Sequence, residues 1–93
     1  MENNTVLINK RVRVLAIYSE GDDGQPVCLP KRMVYKGRNY EFSEIGLVHP
    51  TTKGHRMIHV FDVTDGAADY RLEFDAEGLT WTLMNVSDSS YGL

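Results

Sequence analysis

Residues 69–86 read DYRLEFDAEGLTWTLMNV, and their alternation decides the fold class. Tyr70, Leu72 and Phe74 fall on one parity, Asp69, Arg71, Glu73 and Asp75 on the other. Successive side chains of a strand point to opposite faces, so this pattern predicts a strand with one wet face. A four-residue DAEG loop with Gly78 in the left-handed region then reverses the chain. It pairs Phe74 with Leu79, Leu72 with Trp81 and Tyr70 with Leu83, a β-hairpin with one apolar face.

The turns on either side extend the argument. At DGAA, a two-residue Asp65-Gly66 loop would set Asp62 against Asp69, two carboxylates that repel. A four-residue Asp65–Ala68 loop opposes Thr64 and Asp69 instead and is preferred. Either loop puts Met57, His59, Phe61 and Val63 on the face of Tyr70, Leu72 and Phe74. At KGRN, Gly37 suits the first central position of a type II′ turn, Gly37-Arg38. That register sets Tyr35 opposite Tyr40 and Met33 opposite Phe42. Centring the turn on Lys36-Gly37 would pair Tyr35 with Arg38 and Lys31 with Phe42, so the first register is expected.

Six strands follow, at about 10–19, 31–36, 39–48, 55–64, 69–75 and 79–86, and no stretch shows a 3.6-residue apolar period. Strand 39–48 shifts its apolar parity from Tyr40 and Phe42 to Ile45 and Leu47, which predicts a β-bulge near Ser43–Gly46. Strand 10–19 carries Val12, Val14, Ala16 and Tyr18 on one side. On the other, Arg11 and Arg13 give way to Leu15 and Ile17. An end apolar on both faces is either covered by the closing sheet or offered to a partner. The expectation is all-β: one domain over 1–93, an antiparallel meander of about six strands in a strongly curved sheet or partly open barrel, with ends 1–4 and 87–93 fraying.

Composition sets the function classes. Ninety-three residues support one modest core. No apolar run approaches the ~18 residues of a membrane span, and the opening MENNTVLINK lacks a secretory leader. One cysteine, Cys28, forms no internal disulfide, so a cytoplasmic location is expected and Cys28 is read as a packing residue. The net charge of −3 argues against general affinity for nucleic acid or anionic lipid. Yet residues 10–56 hold nine Lys/Arg against five Asp/Glu, and residues 57–93 one Arg against seven Asp/Glu. Either these halves neutralise one another across the sheet, the reading preferred here, or they leave a dipolar surface.

All three histidines fall in HPTTKGHRMIHVF, residues 49–61. His55 and His59 on one strand lie roughly 13 Å apart at about 3.3 Å per residue, too far to hold one metal ion. No Cys-x-x-Cys or carboxylate cluster completes a site, and no metal or other cofactor is expected. His-Pro is read as opening a turn with Gly54 as its left-handed residue, and His59 as a part-buried imidazole. Lys36, Arg38, Lys53, His55 and Arg56 form a candidate anion or nucleic-acid site if both turns share one end of the sheet. Nucleophile elbows, paired catalytic carboxylates and Gly-rich nucleotide loops are missing, so no enzymatic activity is expected. Ile58, Val60 and Met84 make a candidate protein-contact face on the outward parity, with Thr5–Ile8 expected to cover part of it.

Tyr35-Lys36-Gly37-Arg38-Asn39-Tyr40, Tyr70-Arg71-Leu72-Glu73 and Trp81-Thr82-Leu83 resemble the motifs of a small bacterial all-β domain family of unknown function. The likeness spans about residues 30–88. Some members are associated with polymerase-like proteins of translesion DNA synthesis. The resemblance implies a link to nucleic-acid metabolism and brings no catalytic residues. The sequence is thus read as a non-catalytic cytoplasmic interaction module with an unidentified protein partner and no membrane contact. The alternative is weak binding of nucleic acid or another polyanion through the basic hairpin loops.

Overall fold

A computed structural model of the chain describes residues 5–22 and 26–88. Seven strands run in chain order: β1 (Thr5–Glu20), β2 (Pro26–Tyr35), β3 (Arg38–Glu41), β4 (Glu44–Lys53), β5 (Arg56–Thr64), β6 (Ala68–Asp75) and β7 (Thr80–Asp88). They form one antiparallel sheet in the order β3-β2-β1-β7-β6-β5-β4. β3 and β4 are the two edges, although they are neighbours in sequence. The sheet therefore curls until its edges meet at Phe42-Ser43, forming a half-barrel. There the Phe42 amide donates to the Lys31 carbonyl at 2.9 Å, and the next amide, Ser43, donates to the Thr64 carbonyl at 2.8 Å. One residue belongs to each edge. The predicted strand 39–48 is thus two strands separated by a corner. The predicted bulge follows it: Ile45 faces Val63 and Val48 faces Phe61, so Gly46 and Leu47 oppose Asp62 alone. A Cβ on Gly46 would come within 3.4 Å of the Asp62 carbonyl oxygen, which explains a glycine at this close approach.

β1 makes the second bend. Its first half pairs with β7, from Thr5 opposite Ser87 to Val12 opposite Trp81. Its second half pairs with β2, from Arg13 opposite Val34 to Glu20 opposite Pro26. The result is two layers, β1–β2–β3 folded over β4–β5–β6–β7. Thr5–Ile8, expected to cover the outer face of β5, instead adds to β7 in the sheet, where its backbone groups find ladder partners. The described part of the expected fraying tail, Ser87 and Asp88, also belongs to β7; residues 1–4 and 89–93 lie outside the described residues.

The interior is an aromatic contact between the layers. Val12, Met33, Phe42, Phe61, Val63, Tyr70, Leu72, Phe74, Trp81 and Leu83 form the buried core. The Tyr40 and Phe42 rings lie 5.8 and 5.6 Å from that of Tyr70, and Tyr18 meets Phe74 at 6.4 Å. Phe74 and Trp81 are 4.7 Å apart within one layer. These tilted and edge-on pairs suit ring quadrupoles and span the fold from β1 and β3 to β6.

Two hairpin registers differ from expectation by two residues. β2 and β3 pair Tyr35 with Arg38 and Met33 with Tyr40. The turn is Lys36-Gly37 with φ of 52° and 76°, both in the left-handed region as a type I′ turn requires. Its twist matches the strands, and Phe42 keeps its backbone bond to Lys31 while its side chain enters the core at the corner. In the β6–β7 hairpin Phe74 faces Trp81 and Leu72 faces Leu83. Here the Asp75 side chain accepts the Glu77 and Gly78 amides at 3.0 and 3.3 Å, so Asp75 closes the strand and Leu79 joins the loop. The β5–β6 hairpin forms as expected, with Thr64 opposite Asp69 and Val63 opposite Tyr70.

Candidate interaction surface

The charged residues sort themselves by layer. Lys53 Nζ lies 2.8 Å from Glu73 Oε1, reaching from β4 across β5 to β6. Arg56 binds Asp75 Oδ2 through Nε at 2.7 Å and Glu77 through Nη1 at 2.7 Å. Arg71 grips its cross-strand partner Asp62 with two bonds, Nε to Oδ1 at 2.8 Å and Nη2 to Oδ2 at 3.0 Å. All three cations of β4–β7 therefore have acidic partners, and neutralisation across the sheet holds for this layer. The Arg56 guanidinium has a measurable consequence. Desolvation would raise the Asp75 carboxyl, but Arg56 with the Gly78 and Glu77 amides outweighs it and holds the group below the ordinary aspartate value.

The five candidate anion-binding residues do not meet. Lys53, His55 and Arg56 flank the β4–β5 turn at Gly54-His55, where β5 begins. Lys36 and Arg38 sit beyond β2 with their charges over the Tyr35 and Tyr40 rings, at 5.5 and 6.0 Å. Tyr40 contacts Tyr70, whose hydroxyl binds Asp65 in the turn where β5 ends. Eight strand steps of about 3.3 Å separate the two ends of β5. The two basic turns therefore lie toward opposite ends of β5.

The predicted contact face Ile58, Val60 and Met84 is also rearranged. Ile58 and Val60 are only 6% and 4% exposed. Both lie on the side turned away from the core, opposite Thr51 and His49 on β4 and Asp75 and Glu73 on β6. The Lys53–Glu73 pair bridges β5 on this side, so long charged side chains roof the two aliphatics with their stems. Met84 is the extra residue of a β7 bulge and is part-buried. The histidines separate as well. His55 is exposed in the turn, His59 is part-buried on the inner side of β5, and His49 stays within β4. Pro50 therefore opens no turn. It sits in an edge strand, where a missing N–H costs no ladder bond.

Leu7, Leu79, Tyr18, Val6, Met57 and Val48 are exposed at scattered places, and the outward side of β1 and β2 is uncovered as a paired surface. Met33 and Val14 point into the core, so Arg13, Leu15 and Ile17 on β1 face out, opposite Val34, Arg32 and Leu29 on β2. Leu15 is 53% and Ile17 48% exposed. Directly opposite side chains in such a pair have Cβ atoms about 4.5–5.5 Å apart, so the six residues form one continuous surface, apolar with two guanidinium groups set in it. Its sequence signal is the loss of alternation at Leu15–Ile17. Choosing between a covered and an offered end required the tertiary structure.

This layer also holds the unneutralised positive charge. Residues 5–22 and 26–41 carry seven Lys/Arg against Glu20, Asp22 and Glu41, whereas residues 44–88 carry three against eight Asp/Glu. Among the described residues Lys10, Arg11, Arg13, Lys31, Lys36 and Arg38 have no acidic partner within 4.0 Å, and the Arg32–Glu41 pair at 3.3 Å is solvent-exposed. A dipolar surface thus coexists with the neutralised outer face of β4–β6. Comparison of the chain with family models, curated proteins and solved structures finds no match.

Proposed function

We propose that this chain is a non-catalytic protein-interaction module that contacts its partner through the outward β1–β2 face. The observation that carries the reading is the half-exposure of Leu15 and Ile17 on either side of the register shift in the β1–β2 surface. Isolated exposed aliphatics are ordinary, but Leu15, Ile17, Leu29 and Val34 adjoin one another on a rigid sheet, the arrangement that marks contact surfaces. The carboxylates Asp62, Glu73, Asp75 and Glu77 are counterions to arginine or lysine, which favours structural over acid–base roles for them.

Site-specific photo-crosslinking in cells tests this. Benzoylphenylalanine at position 15 or 17 is expected to give a discrete protein adduct, and the same group at the exposed Thr52 of β4 is expected to give none. Identical adducts from all three positions, or none from any, would overturn the reading. Polyanion binding through Lys36 and Arg38 remains the second reading, favoured by their having no acidic partner among the described residues. Salt-sensitive binding of a single-stranded oligonucleotide, reduced by Arg38→Ala, is its signature.

A further inference from the structure

The chemistry of the outward β1–β2 face narrows the partner, and the inference rests on the reading of that face as a contact surface. Arg13 stands opposite Val34 and Arg32 opposite Leu15, so each guanidinium is set beside an aliphatic side chain. Arg11 continues the outward row of β1. Lys31 is the extra residue where the β1–β2 register shifts between Leu15 and Ala16. A partner covering Leu15 and Ile17 must also desolvate these cations, and burying a charge without a counterion is costly. The layer offers it little compensation: of its three described acids, Glu20, Asp22 and Glu41, the last is exposed and already beside Arg32.

Three occupants compete. A second copy using the same face would bring two unneutralised cationic patches together with no added carboxylate, because a two-fold interface presents one patch to itself. Proteins bind single-stranded nucleic acid by stacking its bases on exposed aromatic side chains. Here Tyr18, Tyr35 and Tyr40 share the parity of Met33, so even Tyr18, 61% exposed, stacks toward Phe74 and the outward face carries no aromatic. An anionic bilayer is entered by an apolar face reaching about 5–10 Å into it, whereas only Leu15 and Ile17 on this face are half-exposed and Leu29 and Val34 are part-buried. An acidic protein segment meets all the requirements.

We propose that the outward β1–β2 face binds an acidic amphipathic segment of another protein, with apolar side chains on Leu15, Ile17, Leu29 and Val34 and carboxylates against Arg13 and Arg32. Paired carboxylate–guanidinium contacts then set orientation and on-rate, and the aliphatic centre sets residence time. The unpaired cations around the patch steer the acidic segment to this layer and away from the net-negative β4–β7 layer.

The test uses the full chain and a fluorescent amphipathic peptide with leucines on one side flanked by glutamates, beside a copy with glutamine at every glutamate. Anisotropy at low ionic strength is expected to show binding of the glutamate peptide and about tenfold weaker binding of the glutamine peptide. Arg13→Glu with Arg32→Glu, and separately Leu15→Ser with Ile17→Ser, are each expected to weaken the glutamate peptide about tenfold or more, whereas Lys53→Ala leaves it unchanged. Equal affinity for both peptides, no binding of either, or equal loss with Lys53→Ala overturns the proposal. So does tighter binding of a single-stranded oligonucleotide or of phosphatidylserine vesicles at the same ionic strength, or a dimer in sedimentation. A crosslinked partner at positions 15 and 17 with no acidic segment would remove this inference and leave the contact surface standing.

Discussion

Lys53 and Glu73 form an ion pair across a strand to which neither belongs, and the aliphatic side chains of that strand, Ile58 and Val60, lie beneath the bridge. The outward side of β5 is therefore closed over Ile58 and Val60, whereas Leu15 and Ile17 on the outward side of β1 stay half-exposed. Two measurements separate this arrangement from an exposed contact face. Ile58→Ala is expected to lower unfolding free energy by about 2–5 kcal/mol in urea titrations, as for a buried isoleucine. An exposed one would lose about 0.5 kcal/mol or less. Lys53→Ala removes one partly exposed ion pair and is expected to cost about 0.2–1 kcal/mol, a difference that shrinks in high salt.

Acid stability is expected to depend on Asp65. The hydroxyl of buried Tyr70 donates to Asp65 Oδ2 at 2.7 Å, while Oδ1 accepts the Ala67 and Ala68 amides at 2.9 Å each. Burial alone would raise the carboxyl, but these donors together outweigh it and hold Asp65 below its ordinary value of 3.8. Burial, then Asp65 itself, pushes the Tyr70 phenol up. A depressed folded-state value means that Asp65 contributes its stability above the ordinary value, and loses it as pH falls below 3.8 toward and through the folded value. Asp65→Ala is expected to cost about 1–3 kcal/mol at neutral pH and to flatten the acid limb of the stability profile, measured by denaturant midpoints across pH. An unchanged acid limb would dismiss the assignment.

The β2–β3 turn is a test of register. Gly37 has φ of 76° with open space where a Cβ would be, so Gly37→Ala is expected to cost about 1–2 kcal/mol for the left-handed backbone and nothing for contact. Lys36, at φ 52°, accepts asparagine more readily than lysine, and Lys36→Asn is expected to stabilise by a few tenths of a kcal/mol or more. Had the turn been centred on Gly37-Arg38, Lys36→Asn would stabilise nothing. Urea midpoints with unchanged slopes decide it.

Cys28 should react slowly. Burial raises its thiol above the ordinary value, only partly offset by a hydrogen bond with Tyr18. Alkylation by iodoacetamide is expected to be slower than for a free thiol at pH 7–8, where less thiolate is present. Tyr18→Phe removes the offsetting bond but also changes exposure, so the informative readout is the midpoint of rate against pH. A midpoint below the ordinary thiol value would contradict the placement of Cys28 among Tyr18 and the core.

Alternation, turn residues and charge were sufficient for the all-β class, the single curled sheet, the β5–β6 register and the bulge at Gly46, because each is a local consequence of side-chain direction and backbone sterics. The same signals marked β1 as apolar on both sides near Leu15 and Ile17. They could not rank registers differing by two residues. Such a slip leaves every side chain on its own face, so Tyr35 opposite Tyr40 and Tyr35 opposite Arg38 look alike until turn conformation chooses. Nor could they tell which outward aliphatics stay exposed. Ile58 is hidden because residues 53 and 73, twenty positions apart, meet above it, and Leu15 is open because, among the described residues, no strand or ion pair crosses β1 and β2. Facing direction is decided residue by residue along the chain. Covering is decided by what the fold brings from elsewhere.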